Sequence, residues 1–343
     1  MANFGGLTVA RNVKAGYDVR KEGLFAHDKQ MIFYTSNETH SSNYKAIEML
    51  GVGKDNMRFI PVNADYQIDL AALQQAIDAD RAAGLQPACL VGNAGTTGTG
   101  SIDDLDALAD ICEREDLWLH VDGAFGALAY LPESSRPLVK GMERADSLAF
   151  DLHKWMYFPF EVACVLIRRE ADHLNSFIVN PDYLAHMPRG VAGGNYAWYG
   201  DMGLQLTRSF RALKVWMTLK AYGVDAFASQ IVQNIAQAGY LKALVEADER
   251  LELLAPVPLN IVCFRFTAPG LSDEELNDLN REILMRLHER GLAVPSYLMV
   301  KGQFALRAAI TNHRSTRADF DFLVEQVLLL GPERLAGLGC PAA

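Results

Sequence analysis

Residues 117–155 read LWLHVDGAFGALAYLPESSRPLVKGMERADSLAFDLHKW. The run 117–122 is apolar up to its last residue, Asp122; a shorter run, 147–150, ends just before Asp151-Leu152-His153-Lys154-Trp155. Continuous apolar runs of this length, without helical period, read as strands buried on both faces. An acid and an amine thus follow two successive strands, thirty-two positions apart. In a parallel sheet both emerge on one rim, the side on which open α/β folds hold their ligands.

The same alternation extends outward. Strands are expected at 31–36, 57–62, 88–93 and 162–168. Between them lie helical segments: SSNYKAIEMLGVG, with Ser41 or Ser42 as N-cap and Gly51 as its stop, IDLAALQQAIDADRAAG, capped by Asp69, and DDLDALADICERE. The pattern predicts an α/β unit with a mainly parallel sheet covered by helices. Only a short turn precedes 162–168, so that strand is expected to run antiparallel. Residues 7–22 are expected to form one helix, stopped by Gly23. Residues 180–201, rich in Gly, Pro and aromatics, read as a long functional loop. The tail alternates strand, helix, strand, strand, helix. The division expected is a large domain over 1–254 and a small C-terminal α+β domain over 255–343.

Bulk properties narrow the function. A net charge of −10 argues against a nucleic-acid partner. No apolar run reaches the length of a membrane span, and the first residues lack the pattern of a secretory signal, so no membrane association and a cytoplasmic location are expected. The five cysteines, Cys89, Cys112, Cys164, Cys263 and Cys340, are far apart and show no metal-ligand spacing; reduced thiols and no metal are expected.

Side chains with chemical potential gather at the predicted strand ends: His40 after 31–36, Thr96 and Thr97 after 88–93, Asp122 after 117–122, and Lys154 after 147–150. Singly, each has an ordinary explanation. Most lysines are solvated surface charges, an aspartate at a strand end is often a cap or half of an ion pair, and a lone histidine is usually structural. His120, deeper in its strand, is read as structural. The turn Gly95-Thr96-Thr97-Gly98-Thr99-Gly100 is neither a dinucleotide fingerprint nor a Walker loop. Together, an amine that can hold an aldehyde and a carboxylate that can hold a ring nitrogen suit pyridoxal 5'-phosphate (PLP). Lys154, just past an apolar strand, is expected to be sheltered from water, and the Thr96 and Thr97 hydroxyls are expected to face the cofactor or substrate.

The stretches ETHSSNYKA, GNAGTTGTGSIDDLDALADICEREDLWLHVDGAFGA and ADSLAFDLHKW resemble the group II PLP-dependent amino-acid decarboxylases, the family of the aromatic-L-amino-acid, histidine and glutamate decarboxylases. The resemblance runs over essentially the whole chain. It implies the fold type I (aspartate-aminotransferase-like) architecture and a homodimer whose sites are shared between subunits. By resemblance, Lys154 matches the lysine that carries the cofactor, Asp122 the partner of the ring nitrogen, and Ala124 the small residue beside the ring. His40 matches the histidine stacked on the ring and Thr97 a threonine close to the cofactor; Asp151 and His153 match residues near the phosphate and the Lys154 linkage. Tyr183 matches the tyrosine of a mobile loop that reaches the neighbouring subunit and helps reprotonate the substrate carbon. Arg211 lies in a further family pattern.

The sequence departs from the family at Gly123, usually Ala, and at Leu152, commonly Pro or Ala. The resemblance also implies a Gly-Gly-Ser/Thr or Ala-Ser phosphate-binding turn directly before the segment matching Met1–Phe4, and a dimerisation region before that; the chain is expected to lack both. The function expected is decarboxylation of an L-amino acid to an amine and CO2. Two alternatives stay open: a truncated or inactive decarboxylase-like protein with a binding role or none, and a PLP-dependent aldehyde synthase or aminotransferase. Relatives that act as aldehyde synthases carry Phe at the position of Tyr183, which favours simple decarboxylation.

Overall fold

The computed structural model describes residues 1–179, 189–190 and 198–337. The chain opens with α1 (Ala2–Lys14) and the single turn α2 (Val19–Glu22) where one helix was expected. The break has a local cause. Gly16 takes a left-handed backbone (φ +77°), and Asp18 then caps a new helix by accepting from the backbone N–H groups of Arg20 and Lys21.

Six strands follow: β1 (Met31–Ser36), β2 (Met57–Ile60), β3 (Gln86–Asn93), β4 (Trp118–Asp122), β5 (Ser147–Asp151) and β6 (Ala163–Ile167). They form one sheet in the order β2-β1-β3-β4-β5-β6, parallel except for the antiparallel β5–β6 pair. The crossovers are α3 (Ser41–Met49), α4 (Leu70–Ala82) and α5 (Leu105–Glu115). Both faces of the sheet are buried, which is why the central strands read as unbroken apolar runs. Ile32, Tyr34, Leu90, Leu119 and Val121 point to the face covered by α4 and α5. Phe33, Cys89, Val91 and Trp118 point to the opposite face, against Leu7, Val9 and Ala10 of α1. Successive strand residues alternate between faces, so His120 and Asp122 lie on the α1 side with Trp118.

The one-turn helix α6 (Leu152–Trp155) joins β5 to β6; α7 (Glu170–Phe177), α8 (Arg211–Tyr222) and α9 (Val224–Glu246) follow. The remaining elements are β7 (Leu251–Leu253), β8 (Ile261–Phe266), α10 (Asp273–Glu289), β9 (Ser296–Val300), β10 (Gln303–Ala309) and α11 (Arg317–Gly337). These four strands make a second, antiparallel sheet in the order β7-β8-β10-β9. Its core joins Phe264, Phe266 and Leu306 to Ile283 and Leu287 of α10 and Val327 of α11. Strand β7 is too short to have a readable period. Contacts that bind this unit to the rim of the large sheet include the Tyr66 hydroxyl donating to the Leu254 carbonyl (3.1 Å) and Arg307 of β10 donating to the carbonyls of Thr97 (2.5 Å) and Gly98 (2.9 Å).

Candidate active site

Asp122 ends β4, flanked in register by Asn93 of β3 and Ala149 of β5. The chain after it is stitched to the end of β5: Gly123 N–H donates to the Ala149 carbonyl (2.9 Å), and Asp151 N–H donates to the Ala124 carbonyl (3.1 Å). A Cβ on Gly123 would lie 2.5 Å from that of Ala127, so the departure from the family's usual alanine is matched by a neighbour occupying that space. This stitching holds the carboxylate end of β4 and the segment bearing Lys154 as one rigid piece.

The Asp122 carboxylate is buried. Its Oδ2 accepts from the side-chain amides of Asn3 on α1 (2.8 Å) and Asn43 on α3 (2.9 Å), and its Oδ1 accepts only the Ala124 backbone N–H, at 3.2 Å. Among the described residues, every donor to this carboxylate is neutral. A buried carboxylate ordinarily takes a cationic partner, and Oδ1 has acceptor capacity left. A protonated pyridine nitrogen supplies both the charge and the donor, so these residues fit the ring of PLP.

His40 is the N-cap of α3, in place of the expected serines: its Nδ1 accepts the backbone N–H of Ser42 at 3.2 Å and lies 2.9 Å from the Ser42 hydroxyl. The imidazole nitrogen does the work of a serine oxygen at this cap. The Ser42 hydroxyl in turn accepts from Asn3 (3.1 Å), so Asn3 touches both Asp122 and the residue that orients His40.

Lys154 sits on α6 with its Nζ 2.9 Å from Asp151 Oδ2. Its side chain is 38% exposed, so the expected shelter from water is not found; the ion pair with Asp151, three residues back, is what holds the ammonium. His153 places Nδ1 2.7 Å from the Val162 carbonyl and Nε2 3.9 Å from Asp151 Oδ2. Trp155 is fully buried, stacks on Phe125 (ring centroids 4.7 Å apart) and donates its indole N–H to Asn234 on α9 (3.0 Å). The His-Lys-Trp block thus presents the lysine at the rim and anchors it from beneath with the tryptophan.

Thr96 departs from expectation. Its hydroxyl turns inward, 3.3 Å from that of Thr99 and 3.0 Å from that of Ser101, and stabilises the turn itself. Thr97 is exposed, and its carbonyl is held by Arg307, whose own protonation burial makes harder. Arg211 is the first residue of α8 and pairs with Glu161. Tyr183 lies outside the described residues.

The geometry therefore assembles Asp122, Ala124, Asp151, His153 and Lys154 on one continuous piece of chain and ties His40 to it through Ser42 and Asn3. Asn3, Asn43 and Arg307 were not found from the sequence. They reach the site from 119, 79 and 210 positions away from their partners, and nothing local marks them.

Residues 8–267 match the model of the pyridoxal-dependent decarboxylase conserved domain. Over its 343 residues the chain is 34% identical to an aromatic-L-amino-acid decarboxylase of Bacillus atrophaeus, covering 69% of that protein. It is 33% identical to tryptophan decarboxylase 1 of Oryza sativa subsp. japonica over 82% of this chain and 55% of that one. Among solved structures it is similar to Oryza sativa TDC with PLP and tryptamine (TM-score 0.89, 30% identity, 97% of this chain and 68% of that chain). It is also similar to mouse CSAD (TM-score 0.86, 28% identity, 96% of this chain and 70% of that chain). The mostly parallel six-stranded sheet is the fold type I arrangement that these neighbours share, and the chain belongs to the pyridoxal-dependent decarboxylase family.

Proposed function

We propose that this chain is a PLP-dependent carboxy-lyase that converts an L-amino acid to the corresponding amine and CO2, with Lys154 as the residue that holds the cofactor. The observation that carries the reading is Asp122: a buried carboxylate at the ligand-binding rim, satisfied only by neutral donors, on the same stitched piece of chain as an accessible lysine. When bound, PLP supplies an electron sink for the pair left on the substrate carbon as CO2 departs.

The remaining roles fall to side chains. Asp122 holds a proton at the ring nitrogen, which keeps that sink effective. Asp151 accepts from the Lys154 ammonium and so keeps Nζ aimed at the rim. To hold the cofactor, the Lys154 ammonium would first have to give up a proton, and Asp151 at 2.9 Å is placed to receive it. His40, held at Nδ1 by Ser42, covers one face of the ring. Thr97, Ala124 and His153 complete the cofactor's surroundings. Tyr183 donates the proton that replaces CO2 on the substrate carbon, and its hydroxyl favours this outcome over oxidative release of an aldehyde, the activity in the name of the similar phenylacetaldehyde synthase of Petunia hybrida.

The same reading includes a homodimer. Phe210, Leu213, Trp216, Met217 and Tyr222, on and beside α8, form an exposed apolar surface of the kind that oligomers cover. A second copy of this chain is the proposed occupant. Residues 1–254 are proposed as the cofactor-binding unit and 255–343 as the small domain. No helix among the described residues is long and apolar enough to cross a membrane. The free thiols Cys89, Cys112, Cys164 and Cys263 suit the reducing cytoplasm.

The test is product analysis. Aromatic and acidic L-amino acids are incubated with protein and PLP, and CO2, amine and aldehyde are quantified. Equal amounts of CO2 and amine, lost in Lys154→Ala, support the reading. Aldehyde in place of amine, or a keto acid without CO2, overturns it.

A further inference from the structure

Four buried polar groups behind Asp122 form a chain whose direction is set from the Asp122 end. At the far end the Trp118 indole N–H, which can only donate, gives its hydrogen to the Ser147 hydroxyl (2.8 Å). Ser147 lies 2.7 Å from His120 Nδ1 and, with one proton and a second lone pair, can take either role there. With Nδ1 accepting, the neutral His120 ring carries its hydrogen on Nε2 and gives it to Asn3 Oδ1, at 3.2 Å. At the near end Asp122 can only accept, so the Asn3 amide must turn its nitrogen toward it. The acceptor-only carboxylate therefore fixes Asn3 with Oδ1 toward His120, which selects the Nε2–H form of the neutral ring and makes Ser147 the donor to Nδ1.

Packing reinforces this assignment. A Cβ on Gly6 would fall 2.6 Å from His120 Cε1 and 2.7 Å from Nδ1, so α1, which carries both Asn3 and Gly6, closes directly on the imidazole. Burial keeps His120 neutral, its pKa lowered to about 4 by desolvation against the opposing pull of Asp122. The second Asn3 N–H goes to the Ser42 hydroxyl, which lies 2.9 Å from His40 Nδ1, beside the Ser42 backbone N–H that this nitrogen accepts.

From this we infer that Asn3 is a positioning residue for the cofactor, held between Asp122 and the His120–Ser147 pair, and that it sets two contacts at once: the orientation of the Asp122 carboxylate toward the ring nitrogen and, through the Ser42 hydroxyl, the orientation of His40. The inference rests on the PLP reading for its consequence. Its structural half, the direction of the relay, stands independently. His120 is then more than a satisfied core histidine: it prevents the Asn3 amide from flipping and presenting an oxygen to Asp122.

Two measurements on the full-length chain test this. With 15N-labelled histidine, NMR of the PLP-free wild type should show His120 as the neutral Nε2–H tautomer at neutral pH. Ser147→Ala, in which Asp122 and Asn3 still direct the ring, should keep that tautomer, whereas Asn3→Leu, which removes the acceptor of the Nε2 hydrogen, should make it mixed. A charged or Nδ1–H His120 in the wild type overturns the relay. Equilibrium titration with PLP is the second arm. Asn3→Leu, similar in volume but without donors, should weaken PLP binding roughly ten-fold, the equivalent of about one pK unit at the ring nitrogen, and Ser147→Ala should weaken it less. Thermal melting without PLP controls for folding; in Asn3→Leu, a lower melting temperature with unchanged PLP affinity and an unchanged His120 tautomer assigns a structural role only and overturns the inference. If Asn3→Leu does not fold, the two Ser147→Ala readouts decide. Wild type that binds no PLP removes the cofactor reading and with it the role at the ring, while the tautomer still decides the relay.

Discussion

Two buried aspartates lie near the carboxyl ends of neighbouring strands, and their surroundings differ in one telling respect. Asp103, just after β3, accepts from the backbone N–H groups of Ile68 (2.7 Å) and Asn93 (2.8 Å) and from the Asn93 amide (3.1 Å). Two of its donors are main-chain groups that can go nowhere else, and both oxygens are used; it pins the turn that follows β3 to the segment before α4. Asp122 also has three donors, but two are side-chain amides sent from separate helices, and one oxygen retains a single long bond. Burial alone does not separate a structural acid from one poised for a ligand. The origin of the donors does: backbone donors hold a fold, whereas a carboxylate shaped by imported side chains and left short of charge is built to meet something else.

The largest contrast is expected from exchanging each acid for its amide. Asp122→Asn should lower kcat for decarboxylation by about 10³-fold or more, since it removes the charge that holds a proton on the ring, while changing unfolding free energy little. Asp103→Asn should do the reverse. Its new NH2 group faces donors, at a cost of about 1–3 kcal/mol, with the turnover number of the folded fraction retained. Urea unfolding and steady-state kinetics on both variants check this; similar losses of activity and stability in both would remove the distinction.

The pH dependence of stability should carry opposite signs on the two sides. His120, beside Asp122, has its folded pKa lowered from 6.5 to about 4. The unfolded chain binds more protons between those values, so stability is full above pH 6.5 and falls toward pH 4, by on the order of 3 kcal/mol at most for this one group. Burial raises the Asp103 carboxyl above its ordinary 3.8. There the folded state binds more protons, so that contribution falls as pH rises through the raised value. Urea midpoints from pH 7 to 4 should therefore drop less steeply in His120→Asn than in wild type, and more steeply in Asp103→Asn than in wild type.

Smaller effects are expected away from the two acids. Trp216→Asp on the exposed α8 surface should shift sedimentation from dimer to monomer with little change in the melting temperature of the monomer. Gly123→Ala should cost about 1–3 kcal/mol through the clash with Ala127, since overpacking a tight contact forces displacement. The double variant with Ala127→Gly should recover most of that loss in urea unfolding.

Much of the sheet could be read in advance, because a strand buried on both faces leaves an unbroken apolar run and a parallel crossover leaves a helix-length interval. The antiparallel β6 followed from the short connection before it. The split of α1 from α2 was missed because the apolar spacing of 7–22 continues across a single left-handed glycine. At the site, the strand ends that carry Asp122 and Lys154 could be placed from the sequence, but the shelter expected for Lys154 is not found. Asn3, Asn43 and Arg307 were not legible: a buried amide or guanidinium that serves a distant carboxylate or carbonyl looks, along the chain, like any polar residue on a helix or strand. Thr96 was misjudged because the side a turn hydroxyl faces depends on the turn's own hydrogen bonds.

The most direct measurement is chemical trapping. Full-length protein is mixed with PLP, reduced with borohydride, digested and mapped by mass spectrometry. The phosphopyridoxyl group should be found on the peptide containing Lys154, with a visible absorbance band before reduction, and both signals should weaken in Asp122→Asn. Labelling of other lysines alone, or no labelling at saturating PLP, would show that the rim formed by Asp122 and Lys154 is not a PLP site.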